Sequence, residues 1–257
     1  MLQVTVCQLP NDPQALEQAW LRLCEHTQFY RTDILLLPEM IFSPWLAANK
    51  RVEPEKWQAS IEQHNHWLAR LPETGAKMIL GSRPVIRYGR RLNEGYCWTP
   101  PDRYLALRTK TYLPNEPHFW EATWYQRGPV EFPLHDLPLA KVGMLICTEL
   151  WFNEHARFLG RKGAQIIVNP RATERFSVEK WLTGGRAAAV VSGAFCLSSN
   201  HSGSDPAGFE WGGGGWVIDP DGEVLARTDG AHPFITLPLD LALADSAKKT
   251  YPRDVLE

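Results

Sequence analysis

Three chemically reactive side chains close apolar segments that have strand character. Glu39 ends "DILLLPE", Lys110 ends "RYLALRTK" and Cys147 ends "KVGMLIC". Taken singly, each has an ordinary explanation: a solvated loop acid, a surface lysine and a small core residue. Functional groups of α/β sheets collect at the carboxyl ends of strands, so an acid, a cation and a thiol at three such ends form a coherent set. Their combination favours a nucleophilic site built on Cys147.

The elements that would position these residues alternate along the chain. Helices are predicted from about Pro13 to Thr27, Pro54 to Leu71 and Val178 to Val191. Strands are predicted at "LQVTVCQ", "DILLLPE", "KMILGSRPV", "KVGMLIC" and "AQIIVNP", with hairpin turns at "PPDR" and at Pro220-Asp221-Gly222. Buried strands that alternate with helices indicate an α/β fold. We expect one domain over residues 1–240 and a tail over 241–257 that is either frayed or docked elsewhere.

Composition excludes several other classes. The chain has 257 residues, 44% of them hydrophobic and 22% charged, and a net charge of -2, which gives no electrostatic reason to expect nucleic acid or an anionic membrane as partner. No signal-peptide pattern opens the chain, and no apolar run reaches the roughly 20 residues that span a bilayer. We therefore expect a soluble, cytoplasmic protein.

Cysteine and histidine spacing gives no sign of a metal or disulfide framework. The five cysteines are scattered without a C-x-x-C pair, so neither a disulfide scaffold nor a cysteine-rich zinc site is expected. His64 and His66 lie two positions apart in "EQHNHW", a separation that does not share a helix face. The prediction is a solvated surface pair, with no metal and no cofactor.

The order Glu39, Lys110, Cys147 resembles the Glu–Lys–Cys triad of the carbon–nitrogen hydrolase (nitrilase) superfamily. "RTKTYLPNEPHFWEATWYQRG" is similar to the lysine block of that family, and "GMLICTELWFNEHARFLGRKGAQIIVNP" to its cysteine block. "WLTGGRAAAVVSGAFCLSSN" and "GWVIDPDGEVLA" resemble its later helix and closing hairpin, so the likeness runs from about Leu2 to Asp240. It implies a single-domain, four-layer α-β-β-α sandwich and a homodimer or higher homo-oligomer packed helix to helix. It also implies hydrolysis of a small amide or nitrile through a thioester.

The resemblance assigns a role to each residue of the predicted site. Glu39 would be the general base, and Lys110 with the backbone N–H of Thr148 would stabilise the oxyanion. Glu121 would hold the lysine or orient the substrate, with a purely structural ion pair as the alternative. Lys110 and the start of the helix after Cys147 would lower the pKa of the thiol.

The substrate pocket is the least defined part of the prediction. Nitrile-cleaving relatives commonly show Cys-Trp-Glu, whereas this chain has Cys147-Thr148-Glu149, so an amide or carbamoyl substrate is favoured over a nitrile. Arg171 could clamp a substrate carboxylate, or instead cap loop carbonyls or pair with Glu149 or Glu154. Trp120 and Glu149 are further candidates for substrate contacts, and Trp211 could also wall the pocket.

Three other functions remain open from the residues alone. One is a nitrilase that uses the same route on a nitrile, and another is a catalytically silent binding member of the fold. A third is a thiol redox sensor, which would need a resolving cysteine beside Cys147; Cys196 would serve only if its strand is the neighbour.

Overall fold

The computed structural model of the protein describes residues 1–205 and 208–255. The strands are β1 (Leu2–Pro10), β2 (Ile34–Leu36), β3 (Met78–Arg87), β4 (Arg90–Thr99), β5 (Arg103–Thr109), β6 (Leu134–Asp136), β7 (Lys141–Met144), β8 (Ile166–Pro170), β9 (Phe195–Ser204), β10 (Glu210–Gly212), β11 (Trp216–Ile218), β12 (Val224–Arg227) and β13 (Phe234–Leu239). The helices are α1 (Pro13–Phe29), α2 (Pro54–Leu68), α3 (Glu121–Trp124), α4 (Asn153–Arg161), α5 (Val178–Ser192) and α6 (Leu241–Ala247).

Within the described residues, twelve of the strands form two six-stranded sheets with the same design, and the short strand β10 pairs with β9. One runs β13-β1-β2-β3-β4-β5 and the other β12-β11-β9-β8-β7-β6. Each has three parallel strands at its centre, β1-β2-β3 or β9-β8-β7, and antiparallel strands outside them. The sheets join where the end of β1 pairs with β9, from Gln8↔Asn200 to Pro10↔Ser202. The carboxyl ends of both parallel sets therefore lie near one region.

Residue alternation along the strands separates the layers. On β2, Ile34 and Leu36 belong to the apolar cluster between the two sheets, whereas Leu35 packs in the cluster under α1, which includes Trp20. Successive strand residues point to opposite faces, so a strand buried on both faces is apolar throughout. On the other sheet, α4 and α5 cover the outer face through residues such as Leu159 and Ala188. This is the predicted α-β-β-α sandwich.

Local sequence signals predict the start of the first helix correctly, but they predict the end of the second helix three residues too late. Asp12 caps α1 by accepting hydrogen bonds from the amides of Gln14 and Ala15, and the helix starts at Pro13 as predicted. Helix α2 starts at Pro54 but ends at Leu68, three residues before the prediction. The chain then forms a 3-10 turn that stops at Gly75, whose φ of 68° suits glycine.

The chain beyond residue 240 is docked in its described part. Helix α6 begins at Leu241, and its Ala244 and Ala247 are buried. The Arg253 guanidinium donates hydrogen bonds to the carbonyl oxygen of Ala247 at 2.9 Å and to Asp221 at 2.9 Å. Of the two predicted states of the tail, the structure has the docked one, up to residue 255.

The prediction of a solvated histidine pair is wrong for His64. Its ring is fully buried, and Nδ1 lies 2.8 Å from the carbonyl oxygen of Ser60, one helical turn earlier. Residues two positions apart on a helix point to opposite sides, so His64 faces the core and His66 faces solvent. Burial lowers the pKa of His64 to about 3.

All five cysteines are free and buried. In the part of the chain that the structure describes, no helix combines the length and apolar character needed to cross a membrane.

Candidate active site

Glu39 lies just beyond β2 and is fully buried. Its amide donates a hydrogen bond to the carbonyl oxygen of Arg171 at 3.2 Å, so the main chain is tied to the segment after β8. Its Oε1 accepts hydrogen bonds from Asn93 Nδ2 at 2.7 Å and from Lys110 Nζ at 2.8 Å. Among the described residues Oε2 has no partner. One carboxylate oxygen is thus fixed and the other is available to accept a proton.

Lys110 follows β5 directly and is also fully buried. Its Nζ donates to Glu39 at 2.8 Å and to Glu121 at 2.6 Å. Burial alone would lower the pKa of this amine, but the carboxylates of Glu121 and Glu39 outweigh burial and raise it. Lys110 therefore stays charged at neutral pH.

Glu121 is the first residue of α3 and is 1% exposed. Its Oε2 accepts hydrogen bonds from Lys110 and from the Tyr125 hydroxyl, and Oε1 has no partner within the described chain. Burial and the nearby charge of Glu39 raise the pKa of Glu121 to about 7, against the opposing effect of Lys110. The side chain contacts the lysine directly; a role in orienting the substrate stays a prediction.

Cys147 lies three residues beyond β7, as the first residue of a 3-10 turn that extends to Trp151. Its φ of 47° is in the left-handed region, which is uncommon for a residue other than glycine and is stabilised only by its surroundings. Asn169 Nδ2 supports this conformation, since it donates to the carbonyl oxygens of Leu145 at 2.5 Å and Cys147 at 3.1 Å. The Cys147 Sγ lies 4.0 Å from the carbonyl oxygen of Ala172.

The structure corrects the expectation that the resting thiol is strongly activated. The pKa of Cys147 is raised, first by burial and second by the charge of Glu39, while Lys110 acts in the opposite direction. Two carboxylates already share the Lys110 charge, which limits its effect on the sulfur. The turn after Cys147 is also 3-10, and the regular helix α4 starts only at Asn153. The resting sulfur is therefore a protonated thiol.

Glu149 does not have the free carboxylate that a substrate contact requires. It is fully buried and forms a bidentate ion pair with Arg108. Its Oε1 also accepts from the Thr111 amide at 2.6 Å, and its Oε2 accepts from the Ile146 amide at 2.7 Å. The structure contradicts the suggested contact with substrate because both oxygens are occupied inside the fold.

Arg171 is placed differently from the prediction as well. Its side chain is fully buried, and its guanidinium donates to Ser198 Oγ, Thr173 Oγ1 and the Gly214 carbonyl oxygen at 2.8–2.9 Å. The contact with Gly214 agrees with the alternative of a capped loop carbonyl, and neither Glu149 nor Glu154 pairs with it. Arg171 is thus inside the fold, where a clamp on a substrate carboxylate is not available.

The candidate pocket residues lie in an aromatic cluster close to Cys147. Trp211 is buried in a cluster with Trp45 and with Ala172, whose carbonyl contacts the Cys147 sulfur. Trp120 packs against the edge of this cluster, under Lys50 Nζ at 4.1 Å. Thr148, the expected amide donor, is half-buried and directly follows Cys147.

A surface cavity of about 630 Å³ opens beside the aromatic cluster. Phe209 forms part of its wall and contacts the Trp211 ring at 4.8 Å. His118, Arg175 and Phe176 line the same cavity. A larger cavity, of about 690 Å³, lies beside His155 and Phe158 and includes none of the residues described above. The wall of the smaller cavity continues through Phe209 into the cluster that includes Ala172.

Sequence reasoning missed two buried asparagines that hold the site. Asn93 on β4 orients Glu39, and Asn169 on β8 holds the Cys147 turn. Both are fully buried, and each has an Oδ1 without a partner among the described residues. The available signal was an amide side chain inside a strand segment, "RRLNEGYCW" for Asn93 and "AQIIVNP" for Asn169. A buried amide needs partners, so its presence in a strand marks a polar site.

Two other predictions bear on this region. Cys196 lies on β9, and β8 separates that strand from β7, so Cys196 is not on the strand next to the one that leads to Cys147. Across residues 1–205 and 208–255, no group of three or more His, Cys, Asp or Glu side chains could hold a metal ion.

Comparison with known proteins defines the family. The family model of carbon–nitrogen hydrolases matches residues 3–249, so the chain belongs to the carbon–nitrogen hydrolase family. It is 25% identical to an omega-amidase from Xenopus tropicalis over 226 residues, which covers 86% of this chain and 81% of the relative. It is 26% identical to the human omega-amidase over 225 residues, covering 85% and 80% of the two chains.

Solved structures confirm the nitrilase-type fold. A carbon–nitrogen hydrolase from Helicobacter pylori G27 superimposes with a TM-score of 0.83 at 18% identity, covering 98% of this chain and 94% of the other. A mutant amidase from Nesterenkonia sp. AN1 gives a TM-score of 0.75 at 20% identity, covering 95% and 96%. That amidase structure shows the product of Michael addition of acrylamide at its active site cysteine.

Proposed function

We propose that this protein hydrolyses the carbon–nitrogen bond of a small linear amide or carbamoyl compound through a thioester on Cys147. The observation that carries the proposal is the buried cluster in which Lys110 Nζ joins Glu39 and Glu121 while the charges of all three act on the Cys147 thiol. The amidases among the relatives support an amide substrate. The absence of Cys-Trp-Glu in this chain favours an amide over a nitrile.

Glu39 would be the base that starts the reaction. Because the resting thiol is protonated, its proton has to leave as the sulfur attacks the substrate carbon. The free Oε2 of Glu39 would take that proton, while its Oε1 remains held by Asn93 and Lys110. The same carboxyl group would then donate the proton to the departing ammonia or amine as the carbon–nitrogen bond breaks.

Lys110 would stabilise the charge that develops on the substrate oxygen. Its ammonium is fixed by two carboxylates before substrate binds, and a preorganised donor loses little freedom during the reaction. The backbone N–H of Thr148 would be the second donor to the oxyanion. Water would then attack the thioester, with Glu39 as base, to release a carboxylic acid and restore the thiol.

An ammonia-release screen tests this function. Wild-type protein and Cys147→Ala would be assayed against small aliphatic amides, carbamoyl compounds and nitriles, and mass spectrometry would look for an acyl adduct on Cys147. We expect release from an amide or carbamoyl compound by the wild type alone, with an adduct that hydroxylamine removes. Turnover that persists in Cys147→Ala would contradict the mechanism, and release from nitriles only would identify a nitrilase.

We also propose that the protein forms a homodimer through the outer face of α4 and α5. Phe158 on α4 is 47% exposed and Trp151, just before α4, is 42% exposed, although both are large apolar side chains. Apolar surface of this kind is commonly buried by a partner. Light scattering should give the dimer mass for the wild type and a monomer mass for Phe158→Glu. Phe29→Glu, on exposed Phe29 of α1, is the matched control and should remain dimeric. A monomeric wild type would contradict this assembly.

A further inference from the structure

Arg171 is a fully buried cation that has no counterion among the described residues. Its guanidinium donates hydrogen bonds to three neutral oxygens and stacks over the Trp216 ring at 4.0 Å. No carboxylate of the described chain forms an ion pair with it. An unpaired buried charge costs several kcal/mol, and an apolar side chain of similar size would avoid this cost. The position of Arg171 relative to Cys147 indicates which benefit offsets this free-energy cost.

Hydrogen bonds connect the guanidinium to the backbone of the nucleophile. Arg171 Nε donates to Ser198 Oγ at 2.8 Å, and Ser198 Oγ donates to the Asn169 carbonyl oxygen at 2.6 Å. Asn169 Nδ2 in turn donates to the Cys147 carbonyl oxygen at 3.1 Å. Asn169 and Ser198 are also paired in the β8–β9 register, so this relay runs along a rigid part of the sheet.

The main chain at Arg171 lies between the base and the nucleophile. Its carbonyl oxygen accepts the hydrogen bond from the Glu39 amide, and the next carbonyl, that of Ala172, contacts the Cys147 sulfur. A shift of the Arg171 side chain would therefore disturb both partners of the first proton transfer.

We propose that Arg171 is a positioning residue, which fixes the strained turn of Cys147 through Ser198 and Asn169 and favours negative charge on the sulfur through its unpaired cation. This inference deepens the proposed function and rests on it. Lys110 is a poor source of further positive charge because Glu39 and Glu121 already share it. Arg171 is a second cation, directly before Ala172 whose carbonyl oxygen contacts the Cys147 sulfur, and no carboxylate of the described residues pairs with it.

The charged groups around this pair define what an alkylation experiment at neutral pH would report. The charges of Glu39, Lys110 and Glu121 act on the pKa of Cys147. Arg171 is affected by Cys147, Cys196, Arg227 and Glu174, and burial lowers the pKa of its guanidinium to about 9. It remains charged at neutral pH, so replacing it by an uncharged residue removes a full positive charge near the sulfur.

The test measures the rate at which iodoacetamide alkylates Cys147 at pH 7, where Arg171 is charged, with peptide mass spectrometry to separate Cys147 from the other thiols. The sulfur–carbon bond forms as iodide leaves, and only the thiolate reacts, so the rate follows the fraction of thiolate. In Arg171→Met we expect the rate to fall about tenfold, because a nearby charge shifts the pKa of a buried group by about 1 pH unit. Arg171→Lys keeps the charge and should keep the rate.

Steady-state kinetics separates the hydrogen-bond relay from the charge. Ser198→Ala breaks the relay and leaves the charge, so its kcat should fall about 10- to 100-fold with little change in KM, as expected for a displaced reacting group. Its alkylation rate at pH 7 should match that of the wild type. Arg186→Met removes an exposed arginine that contacts the Gly222 carbonyl on the far side of α5, and it should change neither quantity.

Three outcomes would overturn the inference. They are an unchanged alkylation rate in Arg171→Met, a rate that falls in Arg171→Lys as it does in Arg171→Met, or an unchanged kcat in Ser198→Ala. If Arg171→Met fails to fold, a tenfold lower alkylation rate in Arg171→Lys than in the wild type, or an unchanged kcat in Ser198→Ala, would still overturn the inference. Alkylation needs no turnover, so a protein that hydrolyses no amide yet shows the tenfold fall in Arg171→Met would contradict the proposed function and not the effect of the Arg171 charge on the thiol.

Discussion

Arg108 and Glu149 form a bidentate ion pair whose side chains are 3% and 0% exposed. Glu149 also accepts the amide protons of Thr111, next to Lys110, and of Ile146, next to Cys147. The pair therefore joins the segment that carries the lysine to the turn that carries the cysteine. A buried pair of this kind is costly to form but sets a single geometry between the two segments, which the proposed reaction requires.

Glu149→Gln should destabilise the fold because it leaves the Arg108 guanidinium buried without a full countercharge. Breaking a buried pair in this way costs about 3–5 kcal/mol, measured as the free energy of unfolding in urea. The matched control is Glu179→Gln, which breaks an exposed pair with Arg227 and should cost about 0–1 kcal/mol. Similar losses of unfolding free energy in the two variants would show that the buried pair stabilises the fold no more than the exposed pair does.

The placement of Glu39, Lys110 and Cys147 at the ends of apolar segments was within reach of the sequence. Strand ends are local features, and short apolar runs bounded by polar residues mark them. The environments of Arg171 and Glu149 were not predictable in the same way. Arg171 meets Ser198 across 27 positions and Glu149 meets Arg108 across 41, so both depend on sheet order and not on local pattern.

The predicted protonation state of the Cys147 thiol was wrong for a related reason. From sequence, Lys110 is a cation beside Cys147 that is held at most by Glu121, and it would lower the pKa of the thiol. In the structure the same lysine is bound by two carboxylates in a fully buried cluster, and burial is the larger effect on the sulfur. A charge count along the chain does not show which charges are already paired.

Asn93→Ala should lower kcat far more than it changes KM. The Asn93 amide holds Glu39 Oε1, and without it the carboxylate can rotate so that Oε2 is no longer aimed at its proton. We expect kcat for the amide substrate to fall about 10- to 100-fold, in line with the loss of a supporting hydrogen bond. Asn65→Ala is the control: its exposed side chain accepts a hydrogen bond from Arg83, far from Glu39 in sequence and on another element, and the variant should keep full activity. A large rise in KM at constant kcat would instead place Asn93 in substrate binding.

Glu121 should make the protein less stable as pH rises from about 4.5 to about 7. Its pKa is about 7 in the folded protein against 4.5 as the ordinary value, so the native state holds a proton that the unfolded chain releases in this window. The free energy of unfolding therefore falls with increasing pH, by roughly 2–3 kcal/mol for this residue. The measurement is the difference in unfolding free energy between wild type and Glu121→Gln at several pH values. The difference should decline across the window and level off above pH 7, and a constant difference would refute the shift.

His64 should make the free energy of unfolding fall as pH decreases below about 6.5, which is the opposite pH dependence to that of Glu121. Because burial lowers its pKa to about 3 from 6.5, the unfolded chain binds a proton between these values that the native protein does not. Its contribution to stability is complete above pH 6.5 and is lost as pH falls toward 3. His64→Phe removes this titration and keeps an aromatic ring near Phe42, whose centroid lies 5.7 Å from the His64 ring.

Urea unfolding at pH 7 and at pH 4.5 checks this prediction. The wild type should lose more stability than His64→Phe between the two pH values, whereas His66→Phe, on the exposed face of α2, should lose as much as the wild type. An equal loss in His64→Phe and the wild type would mean that the buried ring does not resist protonation. The comparison uses one helix and the same substitution at two positions, so helix propensity affects both variants alike and only burial differs.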